Sequence, residues 1–190
     1  REYTSRYTPQ TRINMNVSGG TDKVKYFVNA GYLHQGGNLN TEPESVLGYD
    51  PSSWMDRFNF RANLDFQITE SLKSFLNVAS YIEKVNMPAT EPVFEGNSAW
   101  MMSNILSHAR TLLPITPGPT TIEGFGVAPG QIVDPGYIDR SPFEIMNRSG
   151  YRREVRSNLN SSFGLEWDLS KSVTKGLNVK GMISYDTRAT

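Results

Sequence analysis

The sequence predicts an all-β fold, namely a segment of an antiparallel transmembrane β-barrel with about six strands and long extracellular loops, one of which contains a short helix. Three observations predict this fold class. Apolar and polar residues alternate with a period of two in six segments. The clearest of these segments are longer than the roughly 5 to 6 residues of a typical soluble strand. The connections between the segments alternate between short and long.

The clearest strand is predicted at residues 57–68. Apolar residues such as Phe58 and Phe60 alternate there with polar residues such as Asn59 and Arg61, without interruption. A tilted strand that crosses a membrane needs about 9 to 11 residues. The length of this segment therefore favours a membrane-spanning strand over a strand of a soluble sandwich.

Five other segments share the alternation, and residues 155–169 show it most clearly. The remaining four are residues 12–18, 24–35, 72–83 and 177–188. Phe27 and Leu33 interrupt the pattern in the second of these four, and Phe75 and Tyr81 interrupt it in the third. The six strands together predict a sheet with one face toward lipid and a polar face toward a wet lumen.

The lengths of the connections predict which strand ends share a side of the membrane. Residues 19–23, 69–71 and 170–176 form short turns, whereas residues 36–56 and 86–153 form long loops. If consecutive strands are antiparallel neighbours, all short turns lie on one side and both long loops on the other. Outer-membrane barrels have this asymmetry, with short periplasmic turns and long extracellular loops.

The loop at residues 86–153 is rich in proline and glycine, and most of it is expected to be irregular. It contains one predicted helix at residues 98–113, where apolar residues recur at spacings of three and four. Asn97 or Ser98 would cap this helix, and Pro114 would end it. We expect its apolar stripe to pack on the rest of the loop or on the barrel mouth, with docking of a partner as the alternative.

Composition and charge argue against several classes of protein. The chain has 190 residues, 37% of them hydrophobic, and lacks the run of about 18 to 20 apolar residues that a membrane-spanning helix needs. Its 19 basic and 19 acidic residues give no net charge that would indicate a nucleic-acid partner. It contains no cysteine, hence no disulfide or thiolate metal site. Because the sequence opens without an initiator Met or signal peptide and stops inside a strand-like pattern, we expect an excerpt of a longer protein.

No catalytic residue, metal site or cofactor is predicted, and the chain is not expected to be an enzyme. His34 and His108 lack a third ligand at metal-binding spacing, and no nucleophile motif or phosphate-binding loop occurs. Aromatic residues of the loops are better candidates for contact with a ligand or partner, because their faces stack on sugar rings and anchor proteins. They are Tyr49, Trp54, Phe94, Trp100, Phe125 and Tyr137. Packing within the loop is the alternative for each.

Three stretches resemble a known family. They are VSGGTDKVKYF at residues 17–27 with Gly31-Tyr32 after it, DRFNFRANLDF at residues 56–66, and KGLNVKGMISYD at residues 175–186. In sequence, order and spacing they resemble the early-to-middle part of the barrel in the SusC/RagA family of TonB-linked outer-membrane transporters of Bacteroidetes. They are motifs of the barrel wall, so the resemblance transfers no binding residue.

The resemblance implies a 22-stranded barrel with an N-terminal plug, of which residues 1–190 would be a part, with residues 86–153 as an extracellular loop. It also implies import of oligosaccharides or peptides across the bacterial outer membrane, driven by TonB, with a SusD-like surface lipoprotein as a lid. The plug and the region that binds TonB are not among these residues. Two other functions remain open: a soluble all-β carbohydrate-binding module, and a passive porin-type barrel.

Overall fold

A computed structural model describes residues 3–89, 98–113, 137, 141–170 and 172–190, with the backbone alone at residues 98–102. The chain divides into two compact units. We call the first the sheet unit; it comprises Gln10–Gln35, Met55–Lys84 and Glu154–Thr190. We call the second the loop unit; it comprises Arg1–Pro9, Gly36–Trp54 and Val85–Arg153.

Six antiparallel strands form one sheet in which each strand lies beside its neighbour in sequence. They are β1 (Gln10–Gly20), β2 (Val24–Gly36), β3 (Trp54–Gln67), β4 (Leu72–Pro88), β5 (Tyr151–Asp168) and β6 (Asn178–Ala189). The shortest has 11 residues and the longest 18. The all-β prediction, the six strands and their up-and-down order are therefore confirmed for the described residues.

Several strands extend further than the alternation predicted. β1 begins at Gln10, and β3 begins at Trp54, which was predicted to be a loop residue. The extension is largest in β4 and β5. β4 continues to Pro88, and β5 begins at Tyr151, so both enter the segment that was predicted to be loop. The pairing continues beyond them, because the backbone N–H of Ala89 donates to the carbonyl of Gly150 at 3.1 Å. Backbone hydrogen bonds, which do not depend on side-chain alternation, lengthen the hairpin at its loop end.

The register of the outer hairpins shows which residues share a face. Met15 of β1 lies opposite Ala30 of β2, and Phe163 of β5 lies opposite Ile183 of β6. Directly opposed residues point to the same side of a sheet, and adjacent residues of one strand point to opposite sides. The residues that alternate along each strand therefore form an apolar face and a polar face of the sheet.

Side-chain contacts show that the inner strands have the same apolar and polar faces. The rings of Tyr32 on β2 and Phe58 on β3 lie 4.9 Å apart on the apolar side. On the polar side, the amide of Asn77 on β4 donates to the hydroxyl of Ser162 on β5 at 3.4 Å. Polar and apolar residues therefore stay largely on separate faces across these strands.

The short turns after β1 and β3 are built in the same way. In each, a threonine N–H bonds to the carbonyl of the residue three positions later, Thr21 to Val24 at 2.7 Å and Thr69 to Leu72 at 3.1 Å. The threonine hydroxyl then accepts the N–H of that same residue, at 3.3 Å and 3.0 Å respectively. Hydroxyl side chains stabilise turns through such local hydrogen bonds.

The loop unit contains three helices in its described residues, α1 (Glu44–Leu47), α2 (Ser98–Thr111) and α3 (Pro142–Asn147). Helix α2 confirms the predicted helix, although it ends at Thr111 rather than Leu113. Helix α3 was not predicted. Its start is nonetheless encoded locally, because Ser141 accepts the N–H of Glu144 at 3.1 Å and Pro142 occupies the first turn.

The buried hydrophobic side chains of the described residues all belong to the loop unit. They are Leu39, Met87, Ile105, Ile145 and Met146. Ile105 comes from the apolar stripe of α2, so the stripe packs on other loop residues at this point, as expected. Leu106 and Leu113 of the same stripe remain 36% and 50% exposed. No helix of the described residues combines the length and apolar character needed to cross a membrane.

Candidate functional site

The apolar face of the sheet unit is exposed along all six strands. Its exposed large side chains are Ile13, Met15 and Val17 on β1, Tyr26 on β2, Phe58, Phe60 and Phe66 on β3, Ile82 on β4, Val155, Leu159, Phe163, Leu165 and Trp167 on β5, and Val179, Ile183 and Tyr185 on β6. Monomeric soluble proteins rarely expose a contiguous apolar patch larger than a few hundred Å². This face therefore requires an apolar environment.

A polar cluster lies toward the loop ends of β2 and β3 on that same face. One carboxylate oxygen of Asp56, Oδ1, accepts the hydroxyl of Tyr32 at 2.9 Å and lies 2.8 Å from Nδ1 of His34. Lys84 is near enough to act on the same carboxylate electrostatically. The apolar face is thus bordered by groups that form hydrogen bonds at the strand ends leading to the long loops.

The opposite face of the sheet unit is polar, and two of the aromatic residues that interrupted the predicted alternation lie on it. The guanidinium of Arg57 lies 4.6 Å from the ring centroid of Tyr81. The ammonium of Lys180 lies 4.8 Å from that of Phe75. Cations over ring faces allow aromatic residues on a polar surface, which explains why these two exceptions do not change the character of the face.

An ion network adds to the polar face. One nitrogen of Arg156 lies 2.6 Å from a carboxylate oxygen of Glu154, and another lies 3.5 Å from one of Glu83. The side chains of both acids are mostly buried, at 10% exposure for Glu154 and 14% for Glu83. The network joins β4 to β5.

Two adjoining grooves run across the middle of the polar face, with volumes of about 490 and 420 Å³. Arg61, Ala79 and Asn160 line both grooves. Most of the remaining lining side chains are asparagines and serines. Such groups both donate and accept hydrogen bonds, so the grooves suit a ligand rich in polar groups.

The loop unit contains an aromatic cluster that includes two of the predicted site residues. The rings of Tyr49 and Tyr151 lie 6.2 Å apart. The guanidinium of Arg153 lies 5.6 Å from the ring centroids of both Tyr151 and Trp54. Tyr151 is 49% exposed, whereas Tyr49 and Trp54 are partly buried. The cluster offers a partly exposed aromatic and cationic surface.

Hydrogen bonds to Asn147 fix the position of Tyr49. The tyrosine hydroxyl donates to the backbone carbonyl of Asn147 at 2.7 Å. The buried Asn147 side chain accepts the N–H of Glu42 at 2.7 Å and donates to the carbonyl of Phe143 at 3.0 Å. Glu42 also forms an ion pair with Arg148. Residues 42–49 are therefore held against the end of α3.

Asp50 supports Trp54 in the same cluster. Its carboxylate accepts the Trp54 indole N–H at 3.1 Å, and the Ser52 hydroxyl and N–H at 2.5 Å and 2.9 Å. Partial burial alone would raise the pKa of Asp50, but these hydrogen bonds and the positive charge of Arg153 outweigh it and lower the pKa. Asp50 is thus a structural carboxylate with satisfied hydrogen bonds.

Of the other predicted site residues, Tyr137 is described with its side chain and makes a contact outside this cluster. Tyr137 is 45% exposed, and its hydroxyl accepts the N–H of Leu113 at 2.8 Å. Trp100 lies in α2, where only the backbone is described. Phe94 and Phe125 lie outside the described residues.

Two residues of the cluster, Tyr151 and Arg153, were missed in the sequence. Both fall in the segment interpreted as loop, just before the clear alternation of β5. An aromatic residue followed by basic residues at the entry to a strand was the available signal. It was weak because the contacts join residues about a hundred positions apart, which only the fold determines.

The fold and these surfaces together define an antiparallel β protein with an exposed apolar face, a polar face and an aromatic cluster in the loop unit. Within the described part of the chain, no group of three or more His, Asp or Glu residues is placed to hold a metal ion. No protein-family model and no curated protein matches the chain.

Proposed function

We propose that the sheet unit is part of the wall of an outer-membrane β-barrel, and that the protein is a SusC/RagA-type, TonB-dependent importer of oligosaccharides or peptides. The observation that carries the proposal is the exposed apolar face, which extends over six strands of 11 to 18 residues. Strands of this length are sufficient to cross the hydrocarbon core of a bilayer.

Free energy favours lipid as the environment of that face. Moving a half-exposed Phe, Ile or Leu side chain out of water stabilises a protein by about 1 kcal/mol. Summed over this face, the gain is on the order of 10 kcal/mol, which is comparable to the whole stability of a typical domain. A sheet that left the face in water would forgo that stabilisation.

The polar face supports the same proposal. In a barrel with a wet lumen, asparagine, serine and arginine side chains line the interior, and they remain hydrated while lipid covers the other face. The long connections follow β2 and β4, and short turns follow β1, β3 and β5. This order fits extracellular loops on one side and periplasmic turns on the other.

The TonB requirement and the SusD-like lipoprotein partner rest on the resemblance of residues 17–27, 56–66 and 175–186. In the proposed mechanism, ligand is captured at the mouth, TonB displaces the plug, and the ligand is released inward without covalent chemistry. The aromatic cluster of the loop unit, with Tyr49, Trp54, Tyr151 and Arg153, is the candidate contact for ligand or lipoprotein, because aromatic and arginine side chains dominate binding surfaces.

Spin labels on single cysteines would test the membrane assignment. Because the chain has no cysteine of its own, Ile183→Cys and its neighbour Ser184→Cys give a matched pair on opposite faces. In purified outer membranes, we expect the label at Ile183 to be relaxed by lipid-soluble oxygen and the label at Ser184 by a water-soluble nickel chelate. Phe163→Cys and Ser162→Cys should repeat the pattern on β5.

The same measurement separates the alternatives. In a soluble carbohydrate-binding module, a second layer would cover the apolar face, so the label at Phe163 would be shielded from both reagents and the protein would be absent from the membrane fraction. A passive porin would give the same spin-label pattern as the proposed importer, but uptake of ligand through a porin would not depend on TonB. Equal access of the nickel chelate to labels at Ile183 and Ser184 would refute the membrane assignment.

A further inference from the structure

The smaller groove on the polar face has a distinctive charge. Its volume is about 420 Å³, and its lining includes the side chains of Arg61 on β3 and Arg188 on β6. No aspartate or glutamate lines it. Asp186, the nearest acid in sequence to Arg188, lines the adjoining groove instead. The smaller groove therefore carries two positive charges and no negative one.

Neither arginine is neutralised within the described part of the chain. Among those residues, no hydrogen bond or ion pair involves the side chain of Arg61 or Arg188. Arg156, on the same face, instead pairs with Glu83 and Glu154. The face thus contains both a neutralised arginine and two arginines whose donors remain available.

The rest of the groove supplies amides and a phenol. Asn29, Asn59, Asn158 and Asn160 line it, together with Tyr81. An asparagine side chain carries a carbonyl acceptor and an NH₂ donor group, which match hydroxyl groups because a hydroxyl also donates and accepts. Asn29 already donates to the carbonyl of Met15 at 3.2 Å, and Asn59 already accepts from Nε of Arg57 at 3.1 Å, so these two offer the rest of their amide groups. Asn158 is 7% exposed, so part of this set is held in place by burial.

We propose that this groove binds an acidic oligosaccharide, with Arg61 and Arg188 gripping an oxyanion of the ligand and the asparagines bonding its hydroxyls. The guanidinium fork matches the two oxygens of a carboxylate and also fits sulfate. The inference rests on the proposed function, because it assigns the cargo class to the polar face. The proposed function leaves the cargo as an oligosaccharide or a peptide, and this inference restricts it to oligosaccharides that carry oxyanions.

Binding to the intact protein in detergent micelles tests the assignment directly. Titration calorimetry with trigalacturonate and with neutral maltotriose should show clearly tighter binding of the acidic sugar, with affinity falling as salt is added. Arg61→Gln and Arg188→Gln should each weaken trigalacturonate binding by about tenfold or more. Maltotriose binding should change little in either variant. Arg61→Lys should retain part of the affinity, because it keeps the charge but loses the fork.

Arg12→Gln is the matched control. Arg12 lies on the polar face of β1 but does not line the groove, and the substitution removes the same charge. Equal losses in Arg12→Gln and Arg61→Gln would overturn the proposal, since they would indicate a general charge effect. Tighter binding of a triglutamate peptide than of trigalacturonate would overturn the sugar assignment. A sulfated trisaccharide that binds as tightly as trigalacturonate would support the shared oxyanion chemistry.

The outcome is independent of the membrane test. Calorimetry on purified protein requires no transport. If the protein failed to bind trigalacturonate, the spin-label pattern expected at Ile183 and Ser184 would be unaffected. Conversely, a failed spin-label test would refute the barrel wall while leaving any measured anion binding in place.

Discussion

The ring of Phe75 on β4 occupies the space that a side chain at position 164 of β5 would need, and Gly164 leaves that space free. A Cβ at position 164 would overlap the ring. The ammonium of Lys180 covers the same ring at 4.8 Å. An aromatic residue on the polar face is therefore accommodated by a glycine on one strand and a lysine on another.

Gly164→Ala is expected to destabilise the sheet unit. The added methyl group must displace the Phe75 ring or shift the backbone, and overpacking of this kind typically costs about 1 to 3 kcal/mol. Thermal unfolding of the intact protein in detergent, followed by circular dichroism, should show a lower midpoint. Gly181→Ala is the matched control, because a Cβ there meets open space. Equal midpoints for the two variants would contradict the packing argument.

Arg156→Met is expected to destabilise the β4 and β5 pair. The substitution keeps much of the apolar stem of the side chain but leaves Glu83 and Glu154 without their shared cation, and both carboxylates are mostly buried. Removing one partner of such a network costs about 1 to 3 kcal/mol. Adding Glu83→Gln and Glu154→Gln to the Arg156→Met variant should recover much of the loss in a thermal unfolding experiment. Failure of that rescue would show that the charges are not responsible.

Asn147→Ala is expected to loosen residues 42–49. The variant removes the acceptor for the N–H of Glu42 and the donor to the carbonyl of Phe143, within a fully buried site. A buried group left without its hydrogen bond costs about 1 to 3 kcal/mol. Limited proteolysis should cut this segment faster than in the parent protein. Tyr49→Phe removes a single hydrogen bond and should have a smaller effect; equal cleavage rates in the parent and Asn147→Ala would contradict the prediction.

The surroundings of Trp54 are expected to change in acid. The pKa of Asp50 is lower in the folded than in the unfolded chain, so its stabilising contribution is complete above about pH 4 and is lost as the pH falls through the folded pKa. With Trp100 and Trp167 replaced by Phe, the fluorescence of Trp54 should shift below about pH 4. Asp50→Asn should remove that shift. If the fluorescence shift persisted in Asp50→Asn, a titrating group other than Asp50 would be responsible for it.

The strands could be predicted because each encodes its own pattern. Phe58 and Phe60 alternate with Asn59 and Arg61 within a single segment, and no distant contact is needed to recognise the period. The short turns are equally local, since Thr21 and Thr69 bond to residues three positions away. The predicted helix α2 is also local, because it depends on spacings of three and four residues.

The loop unit could not be predicted in the same way. Its core joins Leu39, Met87, Ile105 and Met146, which come from four separate segments. Nothing in the residues around Leu39 indicates that it will be buried in a cluster with helical residues far along the chain. The same limit explains why Tyr151 and Arg153 were missed as partners of Tyr49 and Trp54.

The amino-acid pattern alone was enough to predict amphipathic strands, with short and long connections in alternation. It took the folded sheet to show that the apolar residues of all six strands share one exposed face, and that Arg61 and Arg188 line one groove without an acid. Alternation can be recognised within one strand, whereas a surface forms only when several strands pair in a fixed register. Pairing across strands sets register, and it brings together side chains that are far apart in the chain.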